Sequence, residues 1–238
     1  MKLIKKQSSK IEFGQAIAAF ILLLVATASA WAADSPDEIV TKLLDANAKR
    51  AAALRGYQST RFYEVDYKGF PTGHKHATMQ VRVTYQAPNK KQFEVVSEDG
   101  SKLLLNHVLH KLLETEKETN DPKARAASEM SRENYDFEFL GKESDQGKEY
   151  YKFHLKPRKD NKLLYDGDIW VDANDFAVTK ISAHPAKNPS MWISHTEIEH
   201  HYNRFNSFWL PVQNRSTSKV RFGGKALLTI DYKDYKID

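Results

Sequence analysis

From Tyr57 to the C-terminus the dominant period of this chain is two residues. Tyr57, Ser59, Arg61, Tyr63, Val65 and Tyr67 alternate with Gln58, Thr60, Phe62, Glu64 and Asp66. Met79, Val81, Val83 and Tyr85 alternate with Gln80, Arg82 and Thr84, and Lys91–Ser97 carries Phe93 and Val95. Successive side chains of a strand point to opposite faces, so this rhythm describes strands with one face on a core and one toward water. The breaks between them are short: Gly69–Gly73 holds Pro71, and Ala87-Pro88-Asn89 follows the second run. Three strands joined in this way form an antiparallel meander.

The same rhythm resumes at Tyr135–Leu140 and continues through Glu149–Leu155, Tyr165–Val171, Phe176–Ala183, Trp192–Tyr202, Phe208–Phe222 and Lys225–Ile237. The expectation is an α+β, mainly β domain with an antiparallel sheet of about ten or eleven strands, a size at which a twisted sheet curls.

Two helical segments interrupt the rhythm. Ser35-Pro36-Asp37-Glu38 has a capping serine, a first-turn proline and acids near the positive helix end. Ile39, Val40, Leu43, Leu44, Ala48, Ala51 and Ala52 then form a stripe, and Gly56 is the expected stop. After Asp99-Gly100-Ser101, which should end the third strand, Lys102–Lys117 places Leu104, Leu105, Val108, Leu109, Leu112 and Leu113 on one side. Asp121-Pro122 leads into a short helix expected over Ala124–Arg132. The N-terminal helix and this central insert are the elements able to cover the concave face of a curled sheet.

The first residues have a different character. Lys2, Lys5, Lys6 and Lys10 precede an uncharged apolar run, Ala16–Ala30, and small residues follow at Ala28-Ser29-Ala30 and Ala30-Trp31-Ala32. This order is that of a secretory signal peptide over residues 1–32, cleaved near Ala30 or Ala32, leaving a domain over residues 33–238 in the periplasm. A retained membrane anchor is the alternative, since the apolar stretch is close to the shortest that spans a bilayer. No cysteine is present, which removes disulfides, thiolate metal sites and a lipid-anchored signal. The net charge is +5, and four Lys and one Glu up to Ala32 supply +3 of it. The remaining +2 (5 − 3) gives no concentrated basic face, so no nucleic-acid partner is expected.

Nine histidines raise the question of a metal. His74-Lys75-His76, His107 with His110, and His195 with His200-His201 are the groups. On a strand His195, Glu197, Glu199 and His201 share a face, and two His with a carboxylate can hold a metal. That face is also the more polar side of a half-buried strand, so solvated histidines are expected and no metal or cofactor is assigned. Asp166 and Asp168 flank Gly167 in an expected turn. The chain has no G-x-S-x-G elbow, no H-E-x-x-H and no phosphate-cradling glycine loop, so it is not read as an enzyme.

Gln80–Val96 with Asp99-Gly100, then Phe153-His-Leu-Lys-Pro157, Asp168-Ile-Trp-Val-Asp172 and Val178-Thr-Lys-Ile181, resemble in order and pattern the LolA/LolB lipoprotein-carrier superfamily. The chain is identified as a divergent member, with Ala87 where LolA has an arginine before the proline. The resemblance implies a half-open antiparallel β-barrel closed by helices, a hydrophobic cavity for acyl chains of a lipid or lipoprotein, transient membrane contact and no cofactor. The cavity-lining candidates are the inward faces Val81, Val83, Tyr85, Phe93 and Val95 and the insert residues Leu104, Val108 and Leu112. The alternative is an envelope sensor that binds a protein partner and uses the barrel as scaffold.

Overall fold

The computed structural model describes residues 34–70, 73–118, 121–188, 190–221 and 223–238. The expected signal segment lies outside the described residues, and no described helix is long and apolar enough to cross a membrane. Helix α1 (Pro36–Ala53) begins in a capping box: Ser35 Oγ accepts from the Glu38 amide, and the Glu38 carboxylate accepts from the Ser35 amide at 2.7 Å. It buries Ile39, Val40 and Leu43, while Ala48, Ala51 and Ala52 of the expected stripe are exposed. Gly56 is not the helix stop. It opens the first strand, and a Cβ there would lie 3.0 Å from the Tyr85 carbonyl oxygen.

Ten strands follow: β1 (Gly56–Gly69), β2 (Gly73–Gln86), β3 (Lys90–Gly100), β4 (Tyr135–Asp145), β5 (Lys148–Pro157), β6 (Tyr165–Asp172), β7 (Val178–Pro185), β8 (Ile193–Phe205), β9 (Phe208–Val220) and β10 (Gly224–Ile237). They form one sheet in the order β3-β2-β1-β10-β9-β8-β7-β6-β5-β4. Every neighbouring pair is antiparallel. The sheet is open, with β3 and β4 at its edges. The last strand returns to pair with the first, Tyr63 opposite Ile230 and Val65 opposite Leu228. That pairing joins the N-terminal meander to the C-terminal one.

β3 ends within the expected Asp99-Gly100-Ser101 break, at Gly100 rather than at Ser97. The strand runs to Gly100, whose φ of +98° and whose approach to β2 (a Cβ would sit 2.4 Å from the His76 carbonyl oxygen) require glycine. β4 runs past Leu140 to Asp145 because a register shift between Phe139 and Gly141 absorbs one residue. Asp166 and Asp168 lie within β6 rather than in a turn.

The insert runs as α2 (Lys102–Leu104), a π-helical turn (Leu105–Leu109) and α3 (His110–Glu118). The wider turn shifts its apolar stripe. Leu105, Leu109 and Leu113 are the buried row with Leu104, and Val108 and Leu112 are partly buried beside it. The short helix α4 (Pro122–Ser128) ends earlier than expected; Asp121 caps it, accepting from the Lys123 and Ala124 amides.

The buried apolar residues form two clusters. One joins the insert to β1, β2 and β10 through Leu109, Leu113, Tyr63, Val65, Met79, Val81, Val83 and Ile230. The other joins α1 to β4–β7 through Ile39, Leu43, Tyr135, Phe153, Leu155, Ile169 and Ile181. Each fully buried aliphatic or aromatic side chain contributes about 1.5–3 kcal/mol. β8 and β9 contribute little to either cluster, and the clefts lie along them.

Candidate binding cleft

α3 leaves a cleft of about 350 Å³ against the inward face of the sheet. Leu112, Thr115 and Glu116 of the insert form one wall. Tyr165, Ile198, His200, Asn214, Ser216, Leu228, Ile230 and Tyr232 form the other. These are the inward positions of β6, β8, β9 and β10, set there by the period-two rule.

Charge holds the insert at the edge of this cleft. Arg61 faces inward from β1, 3% exposed, between Tyr63 and the rings of Tyr232 (4.9 Å) and Phe93 (5.6 Å). Its guanidinium donates to Glu116 Oε2 at 2.7 Å and to the Tyr63 hydroxyl at 3.2 Å. Lys91 of β3 donates to the other oxygen of Glu116. Burial would raise the Glu116 carboxyl, but the Arg61 charge, with Lys91, outweighs it and holds the group below the ordinary carboxylate range. Burial by itself raises the hydroxyls of Tyr63 and Tyr232, so both are neutral phenols.

Two polar atoms are buried here without a hydrogen-bond partner: Arg61 Nε and Asn214 Oδ1. The Asn214 amide nitrogen donates to the Tyr232 hydroxyl at 2.8 Å. His200, half-buried on the same face, stacks edge-on against Tyr165 at 5.7 Å. Loss of water, helped by the neighbouring His201, pushes its pKa down to about 4, so it is neutral at pH 7. The cleft therefore joins aliphatic side chains to neutral polar groups, with the charged Glu116 and Arg215 also in its lining.

A second cleft, about 310 Å³, lies where the C-terminal end of α1 meets β7–β9, lined by Met130, Val178, Ile181, Tyr202 and Leu210. α1 is locked beside it: Arg50 donates to the carbonyl oxygens of Asp175 and Phe176, both at 2.9 Å. A third, about 630 Å³, lies on the opposite face of the sheet and is polar. There His154 sits between Asp168 (2.9 Å) and Asp166 (3.2 Å).

The sequence-based candidates divide among these places. Val81, Val83 and Leu104 are fully buried core residues. Phe93 and Val108 are partly buried against that core. Tyr85 packs on Tyr57 at 5.4 Å, and its hydroxyl donates to the Pro88 carbonyl. Val95, 41% exposed, sits on the edge strand β3 opposite Val81. Leu112 lines the cleft. The β10 residues Leu228, Ile230 and Tyr232 were missed, although their alternation is plain, because nothing local says that β10 lies under the insert. Of the histidine groups, His74 and His76 meet at Asp66 (3.1 and 3.2 Å), whereas the other two do not converge. His195 meets Glu197 at 3.4 Å, His201 meets Glu199 at 3.8 Å, and His110 pairs with Glu98 at 2.9 Å.

The molecule is thus an open antiparallel sheet with two helical covers and clefts beside them. A model of a family of unknown function, DUF5686, matches residues 121–234, slightly under half of the chain. No curated protein matches. Solved structures similar to the chain include a LolA superfamily protein from Nitrosomonas europaea, at 11% identity and a TM-score of 0.38, covering 87% of this chain and 94% of that one. A putative outer membrane lipoprotein-sorting protein domain from Vibrio parahaemolyticus is similar at 13% identity and a TM-score of 0.38, covering 84% and 93%. The Pseudomonas aeruginosa MucA/MucB complex is a third, at 9% identity and a TM-score of 0.27, covering 84% and 99%. The LolA resemblance read from the sequence is met again among these structures.

Proposed function

We propose that this protein is a non-catalytic periplasmic carrier that shields the acyl chains of a lipid or lipoprotein between its insert and its sheet. The observation that supports this most is the cleft under Leu112, walled by Ile198, Leu228 and Ile230 on the inward face of an open sheet. Its volume of about 350 Å³ is at the small end of ligand sites, so a long chain enters by displacing the insert. Burial of the chain gains about 25 cal/mol per Å² of apolar surface removed from water, and breaking the Arg61–Glu116–Lys91 contact offsets part of it. A carrier needs such an offset in order to release its cargo.

Lipid extracted from protein purified out of the producing cell and identified by mass spectrometry tests the reading. Stoichiometric acyl-chain lipid is expected. Protein that carries none, and takes up none on incubation with phospholipid vesicles, refutes it.

A second reading, an envelope interaction module, is favoured by the unpaired edges. β3 exposes Val95 and Val96, and β4 exposes Phe139 and Leu140. Edge strands with apolar side chains are able to pair with a partner's strand.

A further inference from the structure

The pairing of β1 with β2 gathers metal-ligand side chains on the face of the sheet away from the insert. Asp66 lies directly opposite His76, Lys68 opposite His74, and Glu64 opposite Thr78. Period-two alternation sends Val65 and Ala77 into the core and Glu64, Asp66, His74 and His76 outward. Both imidazoles converge on one carboxylate oxygen. Asp66 Oδ1 is 3.1 Å from His74 Nε2 and 3.2 Å from His76 Nδ1. Glu64 Oε1 approaches the same His76 nitrogen at 4.0 Å. One ligand atom each from Glu64, Asp66 and His76 lies within 4.8 Å of the others.

We propose that His74, His76, Asp66 and Glu64 form a binding site for a divalent transition metal of the zinc type. Imidazole and carboxylate ligands about 2.0–2.2 Å from a tetrahedral ion stand roughly 3.4 Å from one another, close to the 3.1 and 3.2 Å that separate Asp66 from the two imidazoles; Glu64, 4.0 Å from His76, closes in on binding, and His74 reaches the ion from the Asp66 side. Two histidines with carboxylates are a donor set for zinc rather than for magnesium or calcium, which take oxygen. The next positions on the flanking strand β10 are uncharged: Leu227 stands opposite Asp66 and Thr229 opposite Glu64. No lysine of that strand therefore stands directly opposite the carboxylates. The competing arrangement is a set of surface ion pairs, each contributing about 0–1 kcal/mol. The His154 cluster differs in kind, because there two carboxylates share the two nitrogens of a single imidazole.

The site is independent of the carrier reading and has its own test. Zinc chloride titrated into the purified protein and followed by calorimetry should give saturable one-to-one binding. Loss of an outer-shell partner alone weakens metal sites about 10–100-fold, so Asp66→Asn and His76→Gln should each cost at least tenfold, and His154→Gln nothing. Without any variant, zinc should slow diethylpyrocarbonate modification of His74 and His76 and leave that of His154 unchanged. Absence of saturable binding, binding unaltered in Asp66→Asn, or equal modification rates with and without zinc would each overturn the proposal.

Discussion

The two halves of the sheet are covered in different ways. Over β4–β7, α1 begins in a capping box, buries Ile39, Val40 and Leu43, and is tied by Arg50 to the carbonyls of the β6–β7 turn. Over β1, β2 and β10, the insert contains a π turn, buries a leucine row and is pinned by the buried charge cluster Arg61–Glu116–Lys91, with the His110–Glu98 pair at the surface. Apolar packing, the capping box and the Arg50 bonds to backbone carbonyls hold α1, with an Asp37–Arg132 ion pair at the surface. The insert depends on a carboxylate kept ionised by its partners, beside a cleft. On the proposed carrier function, the first cover is the fixed wall and the second the one that moves.

The sharpest way to break this comparison is to remove the pin. Glu116→Ala leaves the Arg61 guanidinium buried and uncompensated, at a cost of about 3–5 kcal/mol. Urea unfolding should register the loss, and hydrogen exchange should show faster opening of residues 102–118 with β5 and β6 unaffected. A matched pair of truncations comes next. Leu109→Ala and Leu43→Ala, both fully buried, should each cost about 3 kcal/mol in urea midpoint, but only Leu109→Ala should alter lipid uptake.

The pH dependence sharpens the contrast further. His200 titrates near 6.5 unfolded and about 4 folded, so the unfolded chain binds the extra proton first. Its contribution to stability is complete above pH 6.5 and is lost as pH falls toward 4. It amounts to about 3 kcal/mol, and His200→Gln should flatten urea midpoints across that window. The smallest effect concerns the fixed wall: Ser35→Ala should cost about 1 kcal/mol through the lost cap and leave lipid uptake unchanged.

Much of this contrast was present in the sequence in local form. Ser35 stood out as a cap, though not the reciprocal Glu38 bond, and the alternation of Tyr63, Val65, Val81 and Val83 marked inward faces correctly. Arg61 stood in that same inward row, a signal that a charge would be buried, but its partner Glu116 belongs to another element. The return of β10 to β1 was not legible, because strand order depends on contacts between distant residues rather than on local pattern. With it went Leu228, Ile230 and Tyr232. Leu112 was found, since the insert's own stripe pointed to it. The π turn was hidden because the leucine-rich run supports either helical register. The convergence of His74, His76, Asp66 and Glu64 likewise required the β1–β2 register, which spacing along one strand does not supply.

The central claim is that an acyl chain binds under the insert. Titration of a fluorescent fatty acid into the wild-type protein and into Leu112→Glu, with Leu43→Ala as a control for stability, tests it most directly. Saturable binding by the wild type and by Leu43→Ala, weakened at least tenfold in Leu112→Glu, is the expected result; about 1.4 kcal/mol of lost contact suffices for that. Equal binding by all three proteins, or no saturable binding by the wild type, would contradict it.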